Sequence, residues 1–428
     1  MLGRLPWFAF ERRRRALRFL VFFDMVGNAT VGPMQIHGTC DPRFEAVHDA
    51  FAANFDQHGD VGASAAVTLD GEMVVDLWAG TIATDAAPFD EHDDDPAERG
   101  LTGGSAWERD TIVNVWSTTK TMAALSCLVL ADQGELDLDA PIERVWPGFR
   151  VEGKGAITPT HVLSHSAGLS GWTEPITVDD LYDHTKVADL LAAQEPWWEP
   201  GTRSGYHAIT QGYLLGELVR RVTGQTLGEF FATEIAGPLD ADFHIGTGPE
   251  HDARVGHVIA PSTGLSADGA DPDSIAVRTV SNPRLTADAS ATVPWRRAEI
   301  PAAGGHGNAR SVAHIHSVLA CEGEAHGVRL LSATGCDRIF QEQTYGEDLV
   351  LPGVFRLGVG FGLPCPELPI SPNERACFWG GWGGSLAVID LDARMSVAYV
   401  MNKMGEGTTG DLRGAGILLA AHTALAGI

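Results

Sequence analysis

The chain has 428 residues, 44% of them hydrophobic, and a formal net charge of -26 at pH 7. That length and apolar content can bury one large core or two moderate ones. The acidic balance argues against nucleic acid, whose phosphates would be repelled, and against electrostatic docking on anionic lipid.

The first 38 residues are set apart as an N-terminal extension. Arg12–Arg15 and the apolar run Ala16–Phe23 superficially resemble a secretion signal, but Arg18 interrupts the run, Asp24 ends it and no small-residue cleavage site follows closely. The run is too short for a membrane span, and initiation at Met25 or Met34 fits equally well. Next, Asp41–Phe55 carries Phe44, Val47, Phe51 and Phe55 at helical spacing. Val61–Leu69 alternates and is β-rich; Asp70-Gly71 is a type I′ hairpin signal, and Glu72–Trp78 reads as the returning strand. The acidic run Asp90–Asp95 lacks the spacing of an EF-hand and reads as a solvated loop.

Ser117-Thr118-Thr119-Lys120 opens the apolar run Thr121–Leu130, which meets no Gly or Pro until Gly134. The spacing predicts a helix with Lys120 one turn beyond Ser117. A serine hydroxyl attacks only when a base takes its proton, and a lysine serves only where burial depresses its pKa. A helix N-terminus would also favour negative charge developing at the hydroxyl. Alone, the same spacing describes a Ser cap beside a solvent-facing Lys, so the remaining parts of a catalytic site decide the matter.

From Leu136 to about Gly246 helical patterns dominate, clearest over Val187–Ala193 and Ile209–Val222, the latter ending at Gly224. Residues 247–300 are rich in Pro, Asp, Ser and Ala, and long loops are expected there. Tyr206 lies on a loop at the edge of the helical region, a place from which it could relay a proton. Phe378-Trp379-Gly380-Gly381-Trp382-Gly383-Gly384-Ser385 leads into a strand, and its glycines would let backbone N–H groups approach a ligand. Ser385–Asp390 and Met395–Met401 read as strands, and Leu412–Ala426 as a closing helix. The expected class is α+β: an antiparallel sheet from residues 39–135 and 290–428 with terminal helices on one face, and a mainly helical and loop region over 136–289.

Rival chemistry is weaker. Ser385, in Gly383-Gly384-Ser385-Leu386-Ala387, misses the G-x-S-x-G elbow and precedes a strand; Ser166 lacks the leading glycine. His306, His314 and His316 have no paired acidic ligand, and Gly358–Gly362 lacks the helix of a dinucleotide fold. The six cysteines are scattered without a C-x-x-C pair, which suits reduced thiols and a cytoplasmic enzyme.

In order and approximate spacing, Ser117-Thr118-Thr119-Lys120, Tyr206-His207-Ala208 and Trp379-Gly380-Gly381 resemble the serine beta-lactamase elements S-x-x-K, Y-x-N and K-T-G. His161–Leu169 looks like that family's "LLTHTSGL" segment, Pro200-Gly201 with Tyr206 like its "PG-x-x-x-x-Y" segment, and Gly304–Ser311 like its "GG-x-x-S-T" segment. The resemblance runs from about Cys40 to the end. Trp379 stands at the place of the lysine that helps bind a substrate carboxylate, and Ala208 at that of the asparagine. Trp-Gly-Gly is similar to the family VIII carboxylesterases, esterases on the beta-lactamase scaffold. The resemblance implies Ser117 as nucleophile, Lys120 and Tyr206 as a proton relay whose acylation base stays open, and backbone N–H groups of Ser117 and Trp382 as oxyanion donors. It implies that Trp379, Gly380 and Gly381 bind substrate, with a small short-chain ester as partner and no cofactor or metal. Trp116 and His207 are candidate pocket residues, and His165 is read as structural or pocket-lining. The alternatives are an amide or beta-lactam hydrolase on the same scaffold, or a non-catalytic binding protein that keeps the fold.

Overall fold

The computed structural model describes residues 34–82, 104–262 and 271–427, so the run Asp90–Asp95 and residues 1–33 of the expected extension lie outside the described residues. The early part of the chain supplies β1 (Ile36–Cys40), β2 (Gly62–Leu69) and β3 (Glu72–Ile82). Asp70 and Gly71 take left-handed φ values of 51° and 84°, as a type I′ hairpin requires. β1 starts at Ile36, so residues 36–38 belong to the sheet and not to the extension.

Short β4 (Ser105–Ala106) pairs with β3. β5 (Ile112–Asn114), β6 (His244–Ile245), β7 (Val255–Gly256) and β8 (Gly305–Gly307) make a separate four-stranded sheet. β9 (Glu324–Ala325) and β10 (Val328–Arg329) pair with each other. β11 (Thr344–Glu347), β12 (Val354–Leu357), β13 (Gly362–Leu363), β14 (Ala376–Gly380), β15 (Leu386–Asp390) and β16 (Met395–Met401) complete the main sheet, in the order β1-β3-β2-β16-β15-β14-β13-β12-β11. β16 joins the two ends of the chain by pairing antiparallel with β2, Met395 opposite Leu69 and Met401 opposite Ala63.

Helices cover both faces, which is why β16 is buried from end to end. Ala65 and Tyr399 are cross-strand partners, and on their face Gly414 of the helix Leu412–Ala426 comes so near that a Cβ would stand 3.1 Å from Leu386 and 3.6 Å from the Tyr399 ring. That helix packs on Glu45–His58. Successive strand residues face opposite ways, so Ser64 and Val400 point to the other face. There the Ser64 hydroxyl accepts the amide of Ala309, the first residue of the helix Ala309–Ala320, at 3.0 Å.

The helix Thr119–Asp132 is buried from Thr119 through Leu130 and packs against Thr210–Thr223 and Leu227–Phe231. A helix enclosed on all sides needs no polar stripe, and here even Thr119, Lys120, Thr121 and Ser126 are buried. The loops expected over residues 247–300 are a partial miss. They contain β7 and the helices Ile275–Ser281 and Val293–Arg297, whose seven and five residues are too few to show a helical period. The described residues contain no helix long and apolar enough to cross a membrane.

Candidate active site

Ser117 sits on a 3-10 turn, Trp116–Thr118, one step before the α-helix that begins at Thr119. Trp116 holds a left-handed φ of 48°, a conformation a bulky residue adopts only when its surroundings enforce it. Asn114 Oδ1 accepts the Trp116 amide at 3.3 Å, and the Thr119 hydroxyl donates to the Trp116 carbonyl at 2.6 Å. The Trp116 indole packs against Trp295 and Trp382, with ring centroids 5.4 and 4.9 Å away. This clamp presents the Ser117 hydroxyl to two proton-handling groups.

Lys120 Nζ lies 3.2 Å from Ser117 Oγ and donates to the carbonyls of Ala208 at 2.7 Å and Ala302 at 3.0 Å. The side chain is buried, and burial alone drives its pKa well below the usual lysine value. Tyr206 Oη donates to Ser117 Oγ at 2.5 Å, and its ring lies 4.6 Å from the lysine nitrogen. Burial pushes the phenol pKa upward. The Ala208 side chain lacks an amide, yet the backbone at that position still serves the lysine.

Tyr206 is held from behind. Its amide donates to Asp348 Oδ1 at 3.0 Å, and the same oxygen accepts the amides of Val350 and Leu351 at 2.8 and 2.9 Å. His207 has no place in the pocket: its Nδ1 meets the Gly205 carbonyl at 2.7 Å and its Nε2 accepts the Leu169 amide at 3.1 Å. It is therefore a neutral brace, with a pKa that burial lowers to about 3. His165 accepts the His207 amide at Nδ1 and packs on Tyr206 and Trp379. Trp379 does not line the cavity either. It is buried against the Tyr206 ring at 5.5 Å, in a small cluster with Leu351, Phe355 and Leu357.

Trp379 and Gly380 close β14, and Gly381–Ser385 bends into β15, so the glycine-rich stretch leads into a strand as expected and does so as a hairpin turn. A Cβ on Gly380 would stand 2.4 Å from the Thr409 backbone; one on Gly381 would stand 2.3 Å from the Val115 carbonyl and 3.3 Å from the Ser117 amide nitrogen. Only glycine lets this backbone lie against the Ser117 turn. The Gly381 carbonyl accepts the amides of Gly384 at 3.2 Å and Gly410 at 3.3 Å. In a trans peptide the carbonyl and the next amide point opposite ways, so these bonds fix the Trp382 N–H on the opposite edge of that peptide plane. Ser385, the rival nucleophile, is spent on structure: its hydroxyl bonds the Val115 carbonyl at 2.8 Å and Thr118 Oγ1 at 2.9 Å.

Ser117, Tyr206, Trp116 and Trp382 open on a cavity of about 420 Å³ whose other walls include Trp172, Val277, Leu285 and Leu351. That size suits a small molecule. Among the described residues that line it, Glu406 is the only charged one. No group of side chains suited to a metal ion exists among the described residues; His306 and His316 bond the Gly304 and Val312 carbonyls. Asn114, Asp348 and the brace at Ser385 belong to no sequence motif, and only their nearness in space to Trp116, Tyr206 and Val115 gives them a role.

The family model described as Beta-lactamase matches residues 48–422. The chain belongs to the beta-lactamase family. Within that family it is similar to the esterase/beta-lactamase LipL of Mycobacterium tuberculosis, 34% identical over 384 residues, 86% of this chain and 83% of that protein. A family VIII carboxylesterase of known crystal structure is 38% identical, with a TM-score of 0.81 over 91% of this chain and 100% of that one. A penicillin-binding protein homolog from Caulobacter crescentus is 35% identical, with a TM-score of 0.80 over 91% and 100% of the two chains. The α+β beta-lactamase-like fold and the likeness to family VIII carboxylesterases expected from the sequence are thus both found.

Proposed function

We propose that this serine hydrolase cleaves short-chain carboxylic esters through an acyl-enzyme on Ser117. The observation that carries the reading is the convergence of Lys120 Nζ and Tyr206 Oη on one serine oxygen, at 3.2 and 2.5 Å, at the wall of an apolar cavity. The esterase names of LipL and the family VIII carboxylesterase support it.

The hydrogen bonds support one division of the proton roles. A neutral lysine amine has two N–H donors and one lone pair. The Ala208 and Ala302 carbonyls take both donors, which leaves the lone pair for the Ser117 proton. Burial shifts the two groups apart, the lysine toward its neutral base form and the phenol toward its protonated acid form. Ser117 Oγ then attacks the ester carbonyl carbon as its proton passes to Lys120. The amides of Ser117 and Trp382 hold the oxyanion. On collapse the carbon–oxygen bond to the alcohol breaks and Tyr206 protonates the departing oxygen, drawing on the proton held by Lys120. Water reverses the sequence at the acyl-enzyme and frees Ser117.

Incubation with a slowly turned-over p-nitrophenyl ester, followed by peptide mass spectrometry, should find the acyl group on Ser117. Ser117→Ala should lose more than about 99% of the hydrolysis, a cost of roughly 3 kcal/mol or more in the barrier. Acyl groups on another serine, or residual turnover of several per cent, would overturn the assignment.

A further inference from the structure

The turn that carries the Trp382 amide is stapled in place by a buried guanidinium from the far end of the chain. Arg413 Nη2 donates to the Gly383 carbonyl at 2.6 Å and to Asp411 Oδ2 at 2.6 Å. Its Nη1 donates to Asp60 Oδ1 at 2.6 Å and to the Lys403 carbonyl at 2.8 Å. Arg413 and Asp60 are 6% and 0% exposed in their side chains, and Tyr399 donates to the second Asp60 oxygen. One planar cation thus ties together Asp60 in the turn that leads into β2, the loop after β16 and the β14–β15 turn. Such a planar, multiply bonded group fixes direction as well as distance.

Inside the turn two backbone bonds close it, from the Gly384 amide to the Gly381 carbonyl at 3.2 Å and from the Gly381 amide to the Ser385 carbonyl at 2.8 Å. Gly383 and Gly384 take φ values of 92° and 126°, and side chains on either are excluded: a Cβ on Gly384 would stand 2.4 Å from Asp411 Oδ2 and 2.6 Å from Arg413 Nη2. Gly383 bonds Gly407 and Gly405 through its amide and carbonyl, at 2.8 and 2.7 Å, and Gly381 accepts the amide of Gly410, the residue before Asp411. Every one of these partners belongs to the loop that Arg413 and Asp411 anchor. A turn built from Gly381, Gly383 and Gly384 is soft by itself, because glycine carries the largest backbone freedom. The bonds within it close the turn at Gly381–Ser385, and the anchored loop fixes the Gly383 side of it.

We propose that Arg413, clamped between Asp60 and Asp411, is the positioning residue that aims the Trp382 amide at the oxyanion. This rests on the reading of Ser117 as nucleophile and of Trp382 N–H as oxyanion donor. Arg413 does not line the cavity, so it would act on the transition state through the turn. An oxyanion donor shifted out of line loses its effect on the charged intermediate while leaving ground-state binding almost intact.

The test compares full-length Arg413→Lys, which keeps the charge but loses the planar fork, with Asp411→Asn, which loosens one side of the clamp. For each, kcat and KM are measured on a p-nitrophenyl ester, together with inhibition by an aryl boronic acid whose tetrahedral adduct places an oxygen in the oxyanion site. The expected result for Arg413→Lys is a kcat loss of roughly tenfold or more, KM within about twofold, and a boronate Ki weakened by the same factor as kcat. Asp411→Asn should show the same pattern with a smaller amplitude, and it carries the test if Arg413→Lys does not fold. A folded variant with kcat and boronate Ki within about twofold of the parent overturns the proposal. So does a variant whose kcat falls while its boronate Ki does not move. Ser117→Ala separates the two levels: if it still turns over ester, the nucleophile assignment fails, whatever Arg413 does.

Discussion

At the scale of the residue, one physical cause acts on two groups in opposite senses. Burial disfavours the charged form of each, lowering the Lys120 pKa and raising that of Tyr206, so it favours the free amine and the protonated phenol that the proposed relay uses. Activity should therefore rise with pH as Lys120 sheds its proton, from a midpoint well below the ordinary lysine range, and should fall only where Tyr206 ionises, above its ordinary range. Lys120→Ala and Tyr206→Phe should each lower kcat by about 10²-fold or more, and Lys120→Ala should also remove the rising limb; a limb that persists in that variant would assign it to another group. Substrate charge is a second matter at this scale. With Glu406 as the only charged residue among the described ones that line the cavity, an anionic substrate finds no counter-ion there. A p-nitrophenyl butyrate should show higher kcat/KM than a penicillin, and the reverse order would point to the amide-hydrolase alternative. Ser117, Lys120 and Tyr206 are legible in the sequence because their chemistry depends on residue type and order. The true settings of His207 and Trp379 are not, because facing the cavity or backing Tyr206 depends on neighbours that arrive from His165, Leu169 and Phe355.

At the scale of the element, length decides what can be read. Leu386–Asp390, Met395–Met401 and Leu412–Ala426 are each long enough for their pattern to show, and they form where the pattern puts them. β5 to β8 have two or three residues each, too few for any period, yet β5 and β8 flank the turn that carries Ser117. The helix His184–Ala193 shows an end that no pattern announces. Buried Lys154 donates to the carbonyls of Leu191 and Ala192 at 2.5 and 2.8 Å and lies 4.2 Å from the Phe149 ring. The helix C-terminus favours its charge, but desolvation prevails and lowers its pKa from 10.5 to about 7. Between those two values the unfolded chain holds more of this proton than the folded chain, so raising the pH through that window stabilises the fold. Lys154→Met should flatten this part of the Tm-against-pH curve. A mutant curve parallel to that of the parent would mean that Lys154 keeps its proton throughout.

At the scale of the whole molecule, the sheet is joined by partners from opposite ends of the chain, β2 with β16. That both ends build one antiparallel sheet was legible because the strands alternate or run apolar beside clear turns, but that β2 is the strand pairing with β16 was not. The outer limit of the sheet was not: Ile36–Cys40 pairs with Val75–Ala79 as an edge strand, and three of its residues fall inside the expected extension. A chain beginning at Met34 should keep parental kcat, whereas one beginning at Asp41, which lacks β1, should melt at a lower temperature. Equal melting of the two would show that β1 adds nothing to the sheet. The closure also has a consequence for biosynthesis. β2 leaves the ribosome early and can pair with β3 at once, but its other edge must wait, open, until β16 has been translated, and the loop and guanidinium that brace the Trp382 turn come later still. A nascent chain stalled short of Arg413 already contains Ser117, Lys120 and Tyr206, but it should not react with a fluorophosphonate probe. The enzyme would then be kept inert during its own synthesis by the order in which its parts are made.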